Sequence, residues 1–448
     1  MRGDTIAAQA TAPGEAGVAV IRISGPDAAR VLSGCFRGRR SPVKHPRELV
    51  YGRILLDGET VDLGMAVYLP APGSYTGEDS AELQCHGGQA VTARVLEAAL
   101  RSGARMARRG EFSRRAFLNG KLDLTQAEAV MDLVAARTDR AAAQALHQLE
   151  GGLGRQLTAM EDGLLTLLAE MDVASDEPEE YNDPTAEGRW LAALTETETA
   201  MDRLLASAAQ GRLLREGITC VLAGRPNVGK SSLMNMLLGE NRAIVTPVAG
   251  TTRDTVEAVA ELDGFAVTLV DTAGVRETRD PVEALGVERA RKALAAADLV
   301  LLVLEAGAAL TGEEKALLEE IGAVPHLLVI NKTDLSDTLP VEAGERAVPV
   351  SAKTGAGMDA LRAAMLRLLG CGGVTDGEVM LTRVRHRDAI RRAREALEEA
   401  RAALASGEPS DLAAIGVRAA CRELAEVTGR QVDEAVIDRI FEQFCLGK

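Results

Sequence analysis

The sequence predicts a multidomain α/β protein, with an amino-terminal α+β domain followed by a helical domain that is interrupted by an inserted strand-and-helix segment. Three observations predict it. The chain has 448 residues, which at about 150 residues per domain suggests three domains. Strands alternate with helices between about 217 and 370, and apolar residues at helical spacing flank that segment on both sides. The expected boundaries are 1–119 for the α+β domain, 120–215 and 371–448 for the two parts of the helical domain, and 216–370 for the insertion.

The composition is globular, with 46% hydrophobic and 26% charged residues, far from the apolar-poor signature of disorder. Only 2% are aromatic, so Leu, Val, Ile and Ala must fill the core. No apolar run reaches the roughly 18 residues a membrane span needs, and no basic-then-apolar leader opens the chain, so the expected setting is cytoplasmic, away from membranes. The six cysteines (Cys35, Cys85, Cys220, Cys371, Cys421, Cys445) are scattered without a C-x-x-C pair, which suits reduced thiols.

A net charge of −15 argues against binding nucleic acid over the whole surface. Basic groups nevertheless outnumber acidic ones before residue 120, and Arg101, Arg105, Arg108, Arg109, Arg114 and Arg115 form the densest basic stretch. That stretch is either a phosphate-facing patch or a solvated positive face.

Along the chain, Val18 to Ile23 and Gly64 to Tyr68 read as strands, and Ala90 to Leu100 reads as a helix. Leu124 to Met171 reads as two long helices interrupted near Gly151, Gly152 and Gly154. The acidic loop that follows, with Asp172, Asp176, Glu177, Glu179, Glu180 and Asp183, reads as a solvated connection in preference to a cation site, because no ligand spacing recurs. Glu187 to Arg215 is a third helical run, and helical periodicity returns from Arg385.

The inserted segment carries the chemistry. The apolar run Ile218 to Ala223 enters Gly224-Arg-Pro-Asn-Val-Gly229-Lys230-Ser231 and then a helix from Ser232. This is G-x-x-x-x-G-K-S in its strand, loop, helix setting, where backbone N–H groups and the helix amino terminus enclose phosphates. Asn227, Val228, Gly229, Lys230, Ser231 and Ser232 are the phosphate-side candidates, with Lys230 bridging the β- and γ-phosphates and Ser231 a ligand of Mg²⁺. Phe265 to Val270 ends in Asp271-Thr272-Ala273-Gly274, where Asp271 holds Mg²⁺ through water and the Gly274 N–H senses the γ-phosphate. Leu327 to Ile330 leads to Asn331-Lys332-Thr333-Asp334, whose carboxylate can accept from N1–H and the 2-amino group of guanine. Adenine would leave it unpaired, a mismatch of the kind that discriminates by roughly 10⁴ or more. Ser351-Ala352-Lys353 follows a strand from Ala347 to Val350 and faces the guanine oxygen. Four motifs in this order at strand ends predict a Ras-like P-loop G domain that binds GTP and GDP.

These motifs resemble the translation-factor-related GTPases, and the rest of the chain resembles the tRNA modification GTPase MnmE (TrmE) family over essentially its whole length. The resemblance rests on Asp4-Thr-Ile-Ala-Ala-Gln-Ala10, Arg22-Ile-Ser-Gly25, Thr76-Gly-Glu-Asp79, Gly110-Glu-Phe112, Arg115-Ala-Phe-Leu-Asn-Gly-Lys121-Leu-Asp123, Gly250-Thr-Thr-Arg-Asp254 and the terminal Cys445-Leu-Gly-Lys448. One departure from Ras-like enzymes matters: Val275 stands where they place the Gln that orients the attacking water, and an apolar side chain cannot do so.

The resemblance implies that K⁺ replaces an arginine finger and that G domains pair across their nucleotide faces in a homodimer. It implies K⁺ ligation by Asn227, Thr246, Val248 and Thr251, a second Mg²⁺ ligand in Thr252, and a water-positioning Glu283, whose carboxylate could equally be a helix-start charge. The amino-terminal domain is implied to bind a folate, 5,10-methylenetetrahydrofolate or 5-formyltetrahydrofolate, through Arg22, Glu82, Lys121 and Lys448. Arg22 and Glu82 could equally form a structural ion pair. Whether Cys445 reacts or packs stays open. With an FAD protein of the MnmG (GidA) type, the implied activity is modification of C5 of the wobble uridine in certain tRNAs, adding carboxymethylaminomethyl or aminomethyl groups. The G motifs alone are also compatible with a ribosome-assembly or signalling switch.

Overall fold

A computed structural model describes residues 3–176, 183, 185–239, 257–271, 291–336, 338, 346–371 and 377–448. The chain divides into two compact units. One comprises Met1–Met131, Gln148–Leu165 and Cys421–Lys448; the other comprises Asp132–His147 and Thr166–Ala420.

The first unit is built on a seven-stranded sheet. Its strands are β1 (Ile6–Gln9), β2 (Ala16–Ser24), β3 (Phe36–Gly38), β4 (Val50–Leu56), β5 (Glu59–Leu69), β6 (Ser80–Gly87) and β7 (Arg105–Met106), in the order β3-β4-β5-β6-β2-β1-β7. Strand side chains alternate between faces. Ala19, Ile21 and Ile23 of β2 therefore turn to one side, where they join Leu83 of β6, Val31 and Leu32 of helix α1 (Ala28–Cys35) and Val95 of α2 (Gln89–Arg101) in one core. Arg22 lies between Ile21 and Ile23 and so belongs to the opposite face. Helices α3 (Glu111–Leu118) and α4 (Leu124–Ala135) follow the sheet.

Between Leu124 and Met171 the two expected helices are three: α4, α5 (Asp139–Leu149) and α6 (Gly152–Asp176). The glycine-marked break is present, but a second one falls at residues 136–138. Its cause is Thr138, whose hydroxyl accepts from the Ala141 N–H at 3.2 Å and so caps α5 in place of continuing α4.

The second unit contains a six-stranded sheet in the order β13-β12-β11-β8-β10-β9. These strands are β8 (Ile218–Ala223), β9 (Glu257–Leu262), β10 (Phe265–Asp271), β11 (Leu299–Glu305), β12 (His326–Asn331) and β13 (Ala347–Pro349). All neighbours are parallel except the β9–β10 hairpin. Parallel strands are covered on both faces and read as unbroken apolar runs. In β11, Leu299, Leu301 and Val303 pack into one core while Val300, Leu302 and Leu304 pack into another. The helices here are α7 (Ala186–Glu216), α8 (Lys230–Gly239), α9 (Gly312–Ile321), α10 (Met358–Leu368) and α11 (Val384–Ala405); α12 (Ser410–Thr428) and α13 (Glu434–Glu442) complete the chain.

Helix α7 lies along α11. Arg401 donates to both oxygens of Glu198 at 2.9 and 3.1 Å, and Arg394 to Asp202 at 3.1 Å. The fold is thus the one expected, an amino-terminal α+β domain and a helical domain interrupted by a P-loop G domain. Among the described residues no helix is long and apolar enough to cross a membrane.

Candidate functional site

The loop between β8 and α8 sits at the carboxyl ends of the central strands, where open α/β sheets bind ligands. Gly229 has φ +99°, and a Cβ there would lie 2.2 Å from the Asn331 side-chain nitrogen, so only glycine lets the loop approach so closely. Lys230 is buried and its Nζ donates to the carbonyls of Gly224 at 2.9 Å and Arg225 at 2.7 Å. The ammonium therefore stands inside the loop. Ser231 Oγ donates to Asp271 Oδ2 at 3.2 Å, which joins the first helical turn to the end of β10 through two hard oxygen donors.

Asn331, at the end of β12, binds both neighbouring loops. Its Nδ2 donates to Val228 O at 2.8 Å and its Oδ1 accepts from the Ala352 N–H at 2.9 Å. Asp334 is exposed, and its Oδ1 accepts from the Ser351 hydroxyl at 2.8 Å. Lys332 pairs with Glu305 at 2.9 Å, and Lys353 is exposed. The sequence motifs from β8, β10, β12 and β13 thus meet along one edge of the sheet. Ser232 is exposed beside them on α8.

Thr246, Val248, Thr251, Thr252, Thr272, Ala273, Gly274 and Glu283 lie outside the described residues, as do Glu177, Glu179 and Glu180 of the acidic loop. Among the described residues, no group of three or more His, Cys, Asp or Glu side chains is placed to hold a metal ion.

Two partners are absent from the motif-based expectations. Arg225 is ion-paired at 2.8 Å to Glu314, a buried carboxylate whose other bonds close the capping box with Thr311 at the start of α9. The Thr-x-x-Glu spacing is a signal that could have found it. The Glu305 contact carries no local signature.

The second constellation lies in the first unit. Arg22 and Glu82 face each other directly across β2 and β6 and pair at 3.1 Å, each side chain 23% exposed. The Arg22 guanidinium also lies over the Tyr75 ring at 5.2 Å and the Phe112 ring at 5.8 Å. Lys121 packs at Gly77, beside the Thr76-Gly-Glu-Asp79 turn. The chain's last residues return to this place: the Gly110 N–H donates to Cys445 O at 3.4 Å, and Gly447 lies against Gln9 of β1. Burial, reinforced by the nearby Arg22 charge and opposed by Cys445, lowers the Lys448 ammonium pKa. Cys445 is exposed, whereas the other five cysteines are buried. Burial pushes Cys35, Cys85, Cys371 and Cys421 to about 11, which keeps them protonated.

The Arg101 to Arg115 stretch divides by role. Arg105 pairs with Asp4 at 2.5 Å and Glu111 at 2.5 Å, and Arg115 with Asp4, Glu78 and Glu111 at 2.7 to 3.0 Å. Arg114 pairs with Glu434 and Asp438, and Arg101 with Glu97 and Asp57. Arg108 and Arg109 are exposed. Much of the positive charge of this stretch is therefore neutralised within the fold.

The parallel sheet, the phosphate loop and the guanine-type loops at its edge define a P-loop GTPase. The family profile described as the MnmE helical domain matches residues 124–445, and that described as the GTP-binding protein TrmE N-terminus matches residues 5–121. The tRNA modification GTPase MnmE of Symbiobacterium thermophilum is 46% identical over 460 residues, covering 100% of both chains, and that of Listeria welshimeri is 42% identical over 457 residues, again 100% of both. Among solved structures, Era of Aquifex aeolicus is 28% identical, covering 40% of this chain and 66% of that one, with a TM-score of 0.28. The chain belongs to the tRNA modification GTPase MnmE family, as its motifs foretold.

Proposed function

We propose that this GTPase is activated by K⁺ and Mg²⁺, pairs its G domains in a homodimer, and works with an FAD-containing protein of the MnmG type. Together they add a carboxymethylaminomethyl or aminomethyl group to C5 of the wobble uridine of certain tRNAs, with a one-carbon unit from 5,10-methylenetetrahydrofolate or 5-formyltetrahydrofolate. The observation that carries the reading is the return of Lys448 to the neighbourhood of the paired Arg22 and Glu82. A cation, a guanidinium and a carboxylate gathered beside aromatic rings suit a flat, polar, anionic ligand such as a folate. Lys121 would complete the set.

At the nucleotide site, the Lys230 ammonium would leave two loop carbonyls for the β- and γ-phosphates, exchanging neutral acceptors for charged ones. The Val228, Gly229, Lys230 and Ser231 N–H groups would add fixed donors. Ser231 and Thr252 would ligate Mg²⁺, and Asp271, which accepts from the Ser231 hydroxyl, would hold it through water. Asn227, Thr246, Val248 and Thr251 would offer oxygens to K⁺. The two cations when bound would offset negative charge that gathers on the phosphate oxygens in the transition state. Glu283 would align water in the role that Val275 cannot fill. Thr272, Ala273 and Gly274 would follow the γ-phosphate, while Asn331, Lys332, Asp334, Ser351, Ala352 and Lys353 would hold the base.

Calorimetry of the full chain with 5-formyltetrahydrofolate tests the reading. Binding that Arg22→Ala and Lys448→Ala each weaken by about tenfold or more, the effect of losing a charged hydrogen bond, supports it. A folded sample that binds no folate leaves a GTP switch without modification activity.

A further inference from the structure

We propose that Thr138 and Arg140, which lie outside the G domain at the start of α5, are positioning residues for GTP hydrolysis. They do this by clasping the turn that joins β9 to β10.

The turn is Asp263-Gly264, with Leu262 opposite Phe265 and φ of +49° and +82° at its two central residues. This is the two-residue loop that the twist of a tight hairpin favours. Its outward carbonyls are both taken. Thr138 Oγ1 donates to Gly264 O at 2.7 Å, and Arg140 Nη1 donates to Asp263 O at 3.2 Å. The Arg140 guanidinium lies 5.4 Å from the centre of the Phe265 ring, which is fully buried in the core. No space remains between them: a Cβ on Gly264 would stand 2.7 Å from Arg140 Cδ and 2.8 Å from its Cβ.

The hairpin's other end is the nucleotide site. β10 runs from the clasped turn to Asp271, about 20 Å along an extended strand, and it is held in register with β8 from Val267 to Asp271. Asp271 there accepts the Ser231 hydroxyl. β9 starts at Glu257, five residues after Thr252. A paired strand transmits an axial shift with little loss, so the clasp sets where the Asp271 carboxylate stands relative to Ser231. The break at residues 136–138 thereby gains a purpose, since a continuous helix would not present the Thr138 hydroxyl to both Ala141 and Gly264.

The proposal rests on the reading of Ser231 and Asp271 as the Mg²⁺ side of the site. The test is steady-state GTP hydrolysis, GDP affinity and thermal melting of the full chain carrying Thr138→Val, Arg140→Ala or Thr138→Ser. Expected for the first two is a fall in kcat of about threefold or more with KM and GDP affinity held within about twofold, the range of couplings carried through packed elements. Thr138→Ser, which keeps the hydroxyl, restores kcat. Unchanged kcat, with or without a lower melting temperature, overturns it, as does a loss confined to KM. Should Arg140→Ala fail to fold, Thr138→Val decides alone. Ser231→Ala run in parallel separates the two claims: if it hydrolyses normally the Mg²⁺ reading fails, and if it is inactive while Thr138→Val is normal only the clasp fails.

Discussion

Asn331 donates its side-chain N–H to the Val228 carbonyl at 2.8 Å, so a residue of the guanine-recognition motif holds the phosphate loop closed. The oxygen of the same amide accepts from the Ala352 N–H, and one side chain therefore ties the loop after β8 to the loop after β13. Asn331→Ala leaves Val228 O and Ala352 N without this partner in a buried place, at a cost of about 1–3 kcal/mol each. Fluorescent-GDP titration should show affinity weakened by about tenfold or more. Unchanged affinity would mean the loops are spaced by other contacts.

Asp334 Oδ1 accepts from the Ser351 hydroxyl at 2.8 Å, and the proposed role of the carboxylate is to read the base. Asp334→Asn should weaken GTP by about a hundredfold or more and turn preference towards xanthosine nucleotides, whose exocyclic C2 carbonyl oxygen suits an amide donor. Competition binding with the two triphosphates checks it, and equal affinity of parent and variant for GTP would contradict the base-reading role.

Glu111 predicts an acid response. Burial is the largest single influence and raises its pKa, but hydrogen bonds from Arg105, the Arg108 N–H and Arg115 together outweigh it and hold the carboxyl at about 2. A depressed folded-state pKa contributes stability that is present above the ordinary carboxylate value of 4.5 and is lost as pH falls towards 2. Glu111→Gln should lower the melting temperature at pH 7 and reduce its pH dependence between about 4.5 and 2. Parallel melting curves for parent and variant across that window would show that Glu111 is not the group responsible.

Replacement of Na⁺ by K⁺ at constant ionic strength should raise turnover severalfold, if K⁺ offsets transition-state charge in the place of an arginine finger as proposed. Equal rates in the two salts would remove the monovalent cation from the mechanism.

Much of this protein is legible in the local chemistry of its sequence. Gly229-Lys230-Ser231 after an apolar strand declares a phosphate loop because few residues can bring backbone N–H groups to an anion at a helix start. Parallel strands such as Ile218–Ala223 and His326–Asn331 announce themselves because both faces are buried. The cap at Thr138 is local, but that its hydroxyl also holds the Gly264 carbonyl, 126 residues away, is not legible in the sequence. Arg105 and Arg115 look alike in a basic run until folding places Asp4, Glu78 and Glu111 around them. Residue type and spacing determine the groups that can grip a nucleotide. Which charges are free, where a helix ends and which distant loop is held depend on partners brought together only when the chain closes.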